Sequence, residues 1–146
     1  AYASNVGQST TGTVYGVYDM SGGSWEYVAA YVNNGNSSLT SYGSSLVNGD
    51  TKAKNVYSKG SSDSYETNYN QNAGKYGDAV YETSTSGSGS TSWYGDYSTF
   101  PGMSNPFFFR GGGSYSSDAY AGVFFFNYDD GNSVNYISFR PVLVTL

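Results

Sequence analysis

Apolar and polar positions alternate in short runs, separated by breaks rich in Gly, Ser and Asn. The run Thr13-Val14-Tyr15-Gly16-Val17-Tyr18 sets Val14 opposite Tyr15 by a period of two and predicts a strand. Asp19 to Ser24 contains paired glycines, which accept positive φ, and predicts a turn. Ser24 to Val32 is apolar and aromatic and predicts the next strand; Asn33 to Ser38 predicts another turn. Over residues 39–72, Leu39, Leu46, Val47 and Val56 stand in a polar background with Lys52, Lys54 and Lys59, which reads as an irregular surface region. A helix is predicted over Ala73 to Thr83, where Tyr76, Ala79, Val80 and Thr83 follow i, i+3, i+4, i+7 spacing. Gly74 and Gly77 each weaken that helix by about 1 kcal/mol.

Ser84 to Ser92 is low in complexity and reads as flexible. An aromatic block follows, Trp93, Tyr94, Tyr97, Phe100 and Phe107 to Phe109, broken by Pro101 and Pro106. Arg110 to Gly113 reads as a strand entry or bulge. Ala121 to Asn127 predicts a strand, and Tyr128 to Asn132 a hairpin-type turn around Asp130-Gly131. Ile137 to Val144 predicts the last strand, at an edge or bulged at Pro141. No internal repeat is present. The organisation expected is an entry arm over 1–12 and a single domain over 13–146.

Composition narrows the function classes. The chain has 146 residues, the size of one domain, with no Cys and no His. Disulfides, thiolate or imidazole metal sites, Cys nucleophiles and His-based acid–base schemes are excluded. A formal charge of −5 argues against nucleic acid and against an anionic membrane as partners. No apolar run suits a bilayer span, and no signal segment is evident. A start at Ala1 suggests a processed product or an excised domain. Charged residues are 12% and aromatics 18%, the opposite of a disordered chain. Tyr, Ser, Gly and Asn, abundant here, also dominate antibody binding loops, where Tyr supplies rigid contact area. They equally suit a turn-rich β protein on an extracellular or virion surface.

Few side chains suggest chemistry. Asp129-Asp130-Gly131-Asn132 offers oxygen ligands but lacks the rest of a calcium loop, so a solvated turn is the reading and no metal is expected. Paired carboxylates could hydrolyse a glycoside, yet Glu26, beside Trp25, fits an ion pair or hydrogen bond at a turn better. Arg110 and Arg140, the only arginines, lie in apolar surroundings and predict buried pairing with Glu26, Asp19 or Asp78. No phosphate loop or nucleophile elbow is present, and neither cofactor nor enzymatic activity is expected.

Three segments carry a resemblance. Val14 to Val28 (VYGVYDMSGGSWEYV) is similar to the G-[LV]-Y-D-M-x-G-N-V-W-E-W segment of the formylglycine-generating (sulfatase-modifying) family. Arg110-Gly111-Gly112-Gly113-Ser114 resembles its R-G-G-S-W, and Ser138 to Leu143 (SFRPVL) its closing G-F-R-[PL]-V, in the same order. The resemblance implies an α+β, C-type-lectin-like fold, strand-rich, with one or two short helices and long irregular loops. The family's active-site cysteines are missing, Gly23 replaces the motif Asn, and the lectin calcium motifs are absent. Oxidase activity and calcium-dependent sugar binding therefore do not carry over. Variable proteins of diversity-generating retroelements and bacterial pilin-like surface proteins share this fold and these motifs. Thr10 to Gly23 resembles the pilin-like group in particular.

In the retroelement proteins, adenine mutagenesis near the C-terminus turns Asn codons into a set that omits Lys, Glu, Gln, Met and Trp. Residues 113–138 contain none of those five. The resemblance thus implies a variable binding patch of Ser114, Tyr115, Ser116, Asp118, Tyr120, Phe125, Asn127, Tyr128, Asp129, Asp130, Val134, Asn135, Tyr136 and Ile137. Alternation would bury Phe124 and Phe126 and open Phe125, Asn127 and Tyr128 to a ligand. Phe125 could equally cover a second core layer, and Tyr115, Tyr120 and Tyr136 could be ordinary sheet-surface residues. Trp25, Trp93, Phe139 and the two arginines are expected to hold the frame. The function expected is ligand binding, as an adhesin or receptor-binding domain on a cell surface or phage tail. Its partner would be a host or bacterial surface protein or a glycan, with possible assembly into a fibre or tail. A structural pilin-type subunit without selective binding is the alternative.

Overall fold

Trp25–Asn33, rich in aromatic and β-branched side chains, forms the longest strand among the described residues, β1. A computed structural model describes residues 4, 6, 12–15, 23–113 and 118–139. Its further strands are β2 (Asn55–Ser58), β3 (Ser88–Gly89), β4 (Ser98–Thr99), β5 (Phe107–Arg110), β6 (Phe126–Asp129) and β7 (Ile137–Phe139). Among the described residues all seven join one curled sheet in the order β2-β1-β5-β6-β4-β3, with β7 also on β1. Along one edge, β1 pairs in parallel with β7 through Trp25 to Tyr27 and with β2 through Ala30 to Asn33. Its other edge carries antiparallel β5, which pairs on to β6. The protein is mixed α/β and strand-rich.

Register sorts side chains between the two sheet faces, because directly opposed residues share a face. Phe108 opposes Tyr128 and Arg110 opposes Phe126; Phe107 opposes Asp129 and Phe109 opposes Asn127. The first set faces the larger core, where Val32, Tyr57, Phe100, Phe108 and Phe126 are fully or almost fully buried. Tyr57, Phe100 and Phe108 sit with ring centroids 5.1–5.2 Å apart. Each such pair adds about 0.5–1.5 kcal/mol beyond area burial. With four Leu and one Ile in the chain, aromatic rings supply the volume that aliphatic residues usually fill. The second face carries a smaller core of Tyr31, Leu39 and Phe107.

The helices are short: α1 (Ser38–Ser41), α2 (Ser44–Asn48) and α3 (Tyr65–Gln71). Among the described residues these are three where one or two were expected, and all overlap the region that the sequence reads as irregular surface. The reason for α3 is local. Ser64 and Thr67 form a reciprocal capping box at its start, and its Tyr69 enters the main core. The helix expected over 73–83 is absent. Gly74, Gly77 and Ala79 all take positive φ, and the Glu82 carboxylate accepts from Gly77 N–H. Tyr81 still reaches the core rim and donates to the Tyr69 carbonyl, 2.7 Å away.

Other expectations also change. Thr13–Tyr15 form a bend and turn rather than a strand; residues 16–18 lie outside the described set. Ser84 to Ser92 is a built loop: Ser84 bridges Ser92, and both are buried. Its Gly87 packs so closely on Tyr65 and Tyr69 of α3 that a Cβ would lie 2.7 Å from the Tyr69 Cβ. Arg110 ends a strand rather than entering one, and Gly111 turns the chain at φ 81°. The strand expected over 121–127 is shifted to Phe126–Asp129. Asp130-Gly131 does not join a hairpin, because β7 pairs with β1 instead of β6. Pro141 lies outside the described residues.

Asn68 is the hub that fixes the loops around α3. It is fully buried; its Oδ1 accepts from Gly60 N–H at 2.7 Å, and its Nδ2 donates to Asp63 and to the Pro101 carbonyl, both at 2.9 Å. Asp63 also accepts from Asn34, whose amide donates in addition to the Met103 carbonyl. The positive φ of Asp63 and Met103 is held by this network.

Candidate functional site

The residues expected to form the variable patch fall into several places. Ser114, Tyr115 and Ser116 lie outside the described residues. Asp118 begins a single turn of 3-10 helix, Asp118–Tyr120. Phe125 is the clearest correction: it is 0% exposed and packs against Trp25, Phe109 and Tyr120, so it belongs to a second core layer and presents nothing to a ligand. Tyr128 turns to the opposite face and stacks on Tyr65 of α3, with centroids 4.5 Å apart. Burial, then the hydrogen bond to Tyr128, pushes the Tyr65 phenol well above its ordinary range.

Asp129, Val134 and Ile137 meet at Tyr27, which bonds Asp129 and lines a cleft with the other two. Asn127 and Asp129 share the face of Phe109 and Phe107, and Asn127 is half-buried. Asp129 accepts a hydrogen bond from the Tyr27 hydroxyl and another, 2.9 Å, from Gly131 N–H. Asp130 accepts from Asn132 N–H at 2.9 Å. Both carboxylates therefore shape the turn. Burial raises the Asp129 carboxyl above the ordinary Asp range, while the Tyr27 hydrogen bond opposes the rise. Burial and Asp129 together push the Tyr27 phenol far up. Beside them a shallow cleft of about 380 Å3 is lined by Tyr27, Val134, Ile137 and Phe139. Asn135 is exposed nearby in the chain.

Two sets of aromatic contacts, one around Trp25 and one at the turn Trp93–Gly95, both touch the 119–125 loop and make up an aromatic ridge. Tyr136 meets the Trp25 ring edge-on at 5.8 Å, and the Trp25 indole N–H donates to the Tyr120 carbonyl at 3.2 Å. Tyr120 packs on Tyr97 with centroids 4.8 Å apart. Phe124, the next residue to buried Phe125, lies 5.3 Å from Trp93 and 5.7 Å from Tyr94. Phe109 and Phe125 form the buried base, whereas the crest is open: Trp93 is 56% exposed, Tyr94 92% and Tyr120 43%. Trp93 and Phe139 are therefore surface residues and not the frame the sequence suggests.

The crest is rigidly mounted. Tyr94 takes φ 61° and ψ 14°, and Gly95 φ 79°, while Asp96 N–H donates to the Trp93 carbonyl at 3.3 Å. That is a primed β-turn, whose two central residues both need positive φ. For Tyr this costs about 1–2 kcal/mol. Ser92, Trp93 and Tyr97 are tied by backbone hydrogen bonds to Asp96, Thr83 and Ala119. The buried Asp96 carboxylate accepts from Phe124 N–H at 2.9 Å, and a Cβ on Gly122 would overlap that carboxylate. The turn and the 119–125 loop are thus locked to each other.

Compared with known proteins, the chain matches no family model, no curated protein and no solved structure. Among the described residues no group of three or more acidic side chains is disposed to hold a metal ion, and no helix is long and apolar enough to cross a membrane. Of the crest residues, sequence reading singles out Tyr120 alone as a contact. The dipeptide Tyr94-Gly95 is the signal that could have added the turn, because Gly after an aromatic pair admits the positive φ that lifts both rings outward.

Proposed function

We propose that this chain is a non-enzymatic ligand-binding domain of a cell or virion surface, which engages a surface glycan or protein through the aromatic ridge. The observation that carries this reading is Tyr94, almost wholly exposed and held at a strained positive φ. Strained backbone clusters at functional sites, and Tyr94 stands beside a second exposed ring, Trp93, as interaction surfaces do. Rigid Tyr and Trp rings give contact area at low entropy cost, and their faces stack on sugars and on protein side chains.

We further read the domain as C-type-lectin-like and as a target of retroelement diversification. Support comes from adjacency: β1, β5 and β7, which carry parts of the three motif segments, lie side by side with β1 in the middle. The ridge draws Tyr120 and Tyr136 from the segment free of Lys, Glu, Gln, Met and Trp.

The test screens the purified chain on a glycan array and against intact cells, beside Trp93→Ala and Tyr94→Gly. Binding should fall at least about tenfold in each variant. Tyr94→Gly should melt at or above the wild-type temperature, because relief of up to about 1–2 kcal/mol of strain offsets the entropy of an added glycine. Undiminished binding by both variants, or no binding by the parent chain, would return the reading to a structural surface subunit. A near-copy of the codons for residues 113–140 beside the gene, differing only at adenines, would separately establish diversification.

A further inference from the structure

A cavity of about 400 Å3 opens on the main-core face of the sheet, where β1, β2 and the 78–80 turn meet the end of β5. Arg110 lines it. Its Nη2 is buried without a hydrogen-bond partner, and the guanidinium carbon lies 5.7 Å from the centre of the Phe126 ring. Asp78 lines the same cavity and acts on Arg110 through space; its own oxygens accept from Val80 N–H at 3.2 Å and from Asn55 at 3.4 Å. The buried pairing expected for Arg110 therefore falls short of a hydrogen-bonded ion pair with Asp78. The hydroxyl of Tyr57, also on the cavity wall, is a second buried polar group without a partner.

The charge around the cavity runs against that of the chain. Lys52 and Lys54 line it with Arg110, against Asp78 on the wall and Glu82 acting through space, in a protein of net charge −5. Lys54 spends its ammonium on the carbonyls of Leu46, Val47 and Gly49, so its charge is present but its donors are used. Arg110 is the cation whose unpartnered donor is buried. A buried guanidinium is costly unless an anion and hydrogen bonds compensate it. Its planar fork fits a carboxylate with two parallel N–H···O bonds. The rest of the wall includes Val28, Ala30 and Val80, which suit a short hydrocarbon body and not a bare inorganic ion.

We infer that this cavity binds a small organic carboxylate, with its carboxyl group on Arg110 and its aliphatic body against Val28, Ala30 and Val80. The size lies within the range of small-molecule sites. This site is separate from the aromatic ridge, and the inference does not depend on the function proposed above.

Butanoate, butanamide and inorganic phosphate would be titrated into the whole chain and followed by methyl and arginine Nε NMR signals. Butanoate should give saturable shifts at Val28, Val80 and Arg110 in the millimolar range, with ligand-to-methyl NOEs. Butanamide and phosphate should not. Arg110→Gln should abolish the butanoate shifts; should that variant unfold, Val28→Phe, which fills the cavity, should abolish them in a folded protein. Equal binding of butanamide, tighter binding of phosphate, or no saturable shift from butanoate in the parent chain would overturn the assignment.

Discussion

At the scale of single residues, polar side chains do work that aliphatic packing does elsewhere. Asn68 satisfies three backbone and side-chain partners from full burial. Asn68→Ala would strand Gly60 N–H and the Pro101 carbonyl away from water, and should destabilise the fold by about 2–4 kcal/mol in denaturant titration. Asp129 makes the opposite kind of contribution. Its folded pKa is raised, so the native state binds its proton more readily than the unfolded chain does. The stability it contributes is present below about pH 4 and is lost as pH rises through the raised folded value. Asp129→Asn should therefore gain stability relative to the parent chain as pH goes from 3 to 7. Denaturant midpoints across that range check the sign, and a constant difference would contradict it.

At the scale of elements, a loop and a turn are clamped by a single carboxylate. Asp96 holds Phe124 N–H, and Gly122 leaves room for its side chain. Gly122→Ala should cost about 1–3 kcal/mol by overpacking and blunt ridge binding, read by thermal melting and by the ligand assay together. Legibility varied sharply at this scale. β1 was visible because Trp25 to Val32 is apolar and aromatic apart from Glu26, and its end, Ala30 to Val32, is buried. The 73–83 helix was not real, since a correct apolar spacing was overruled by Gly74, Gly77 and a left-handed Ala79. The longest of the described helices, α3, has the sequence YETNYNQ and lacks an aliphatic stripe; its Ser64–Thr67 cap is what marks it. Of the ridge, Tyr120 and Tyr136 were named from the sequence as candidate contacts, on the resemblance alone. Trp93, Tyr94 and Phe124 were not, because whether an aromatic residue faces the core or the solvent depends on the turn that carries it.

At the scale of the whole molecule, β1 is the keystone. It pairs with β2, β5 and β7 and borders both cores. Val32, which is fully buried, also donates its N–H to the Pro106 carbonyl at 2.8 Å. Hydrogen exchange should find the slowest amides at Ala30 to Val32 and Phe108, and much faster exchange in α1, α2 and the two-residue strands β3 and β4. Slower exchange in α3 than in β1 would contradict that hierarchy. The pairings of β1 join residues distant in sequence, so its protection should appear only with the complete fold.

The primed turn at Trp93–Asp96 has a kinetic consequence. Its rings are set in place during folding, and the cost of their unusual backbone is met then, long before any encounter. A partner of the kind proposed, arriving from solution, would find a surface with little left to arrange. Capture would then be limited by diffusion and orientation, and differences among partners would appear in how long each stays.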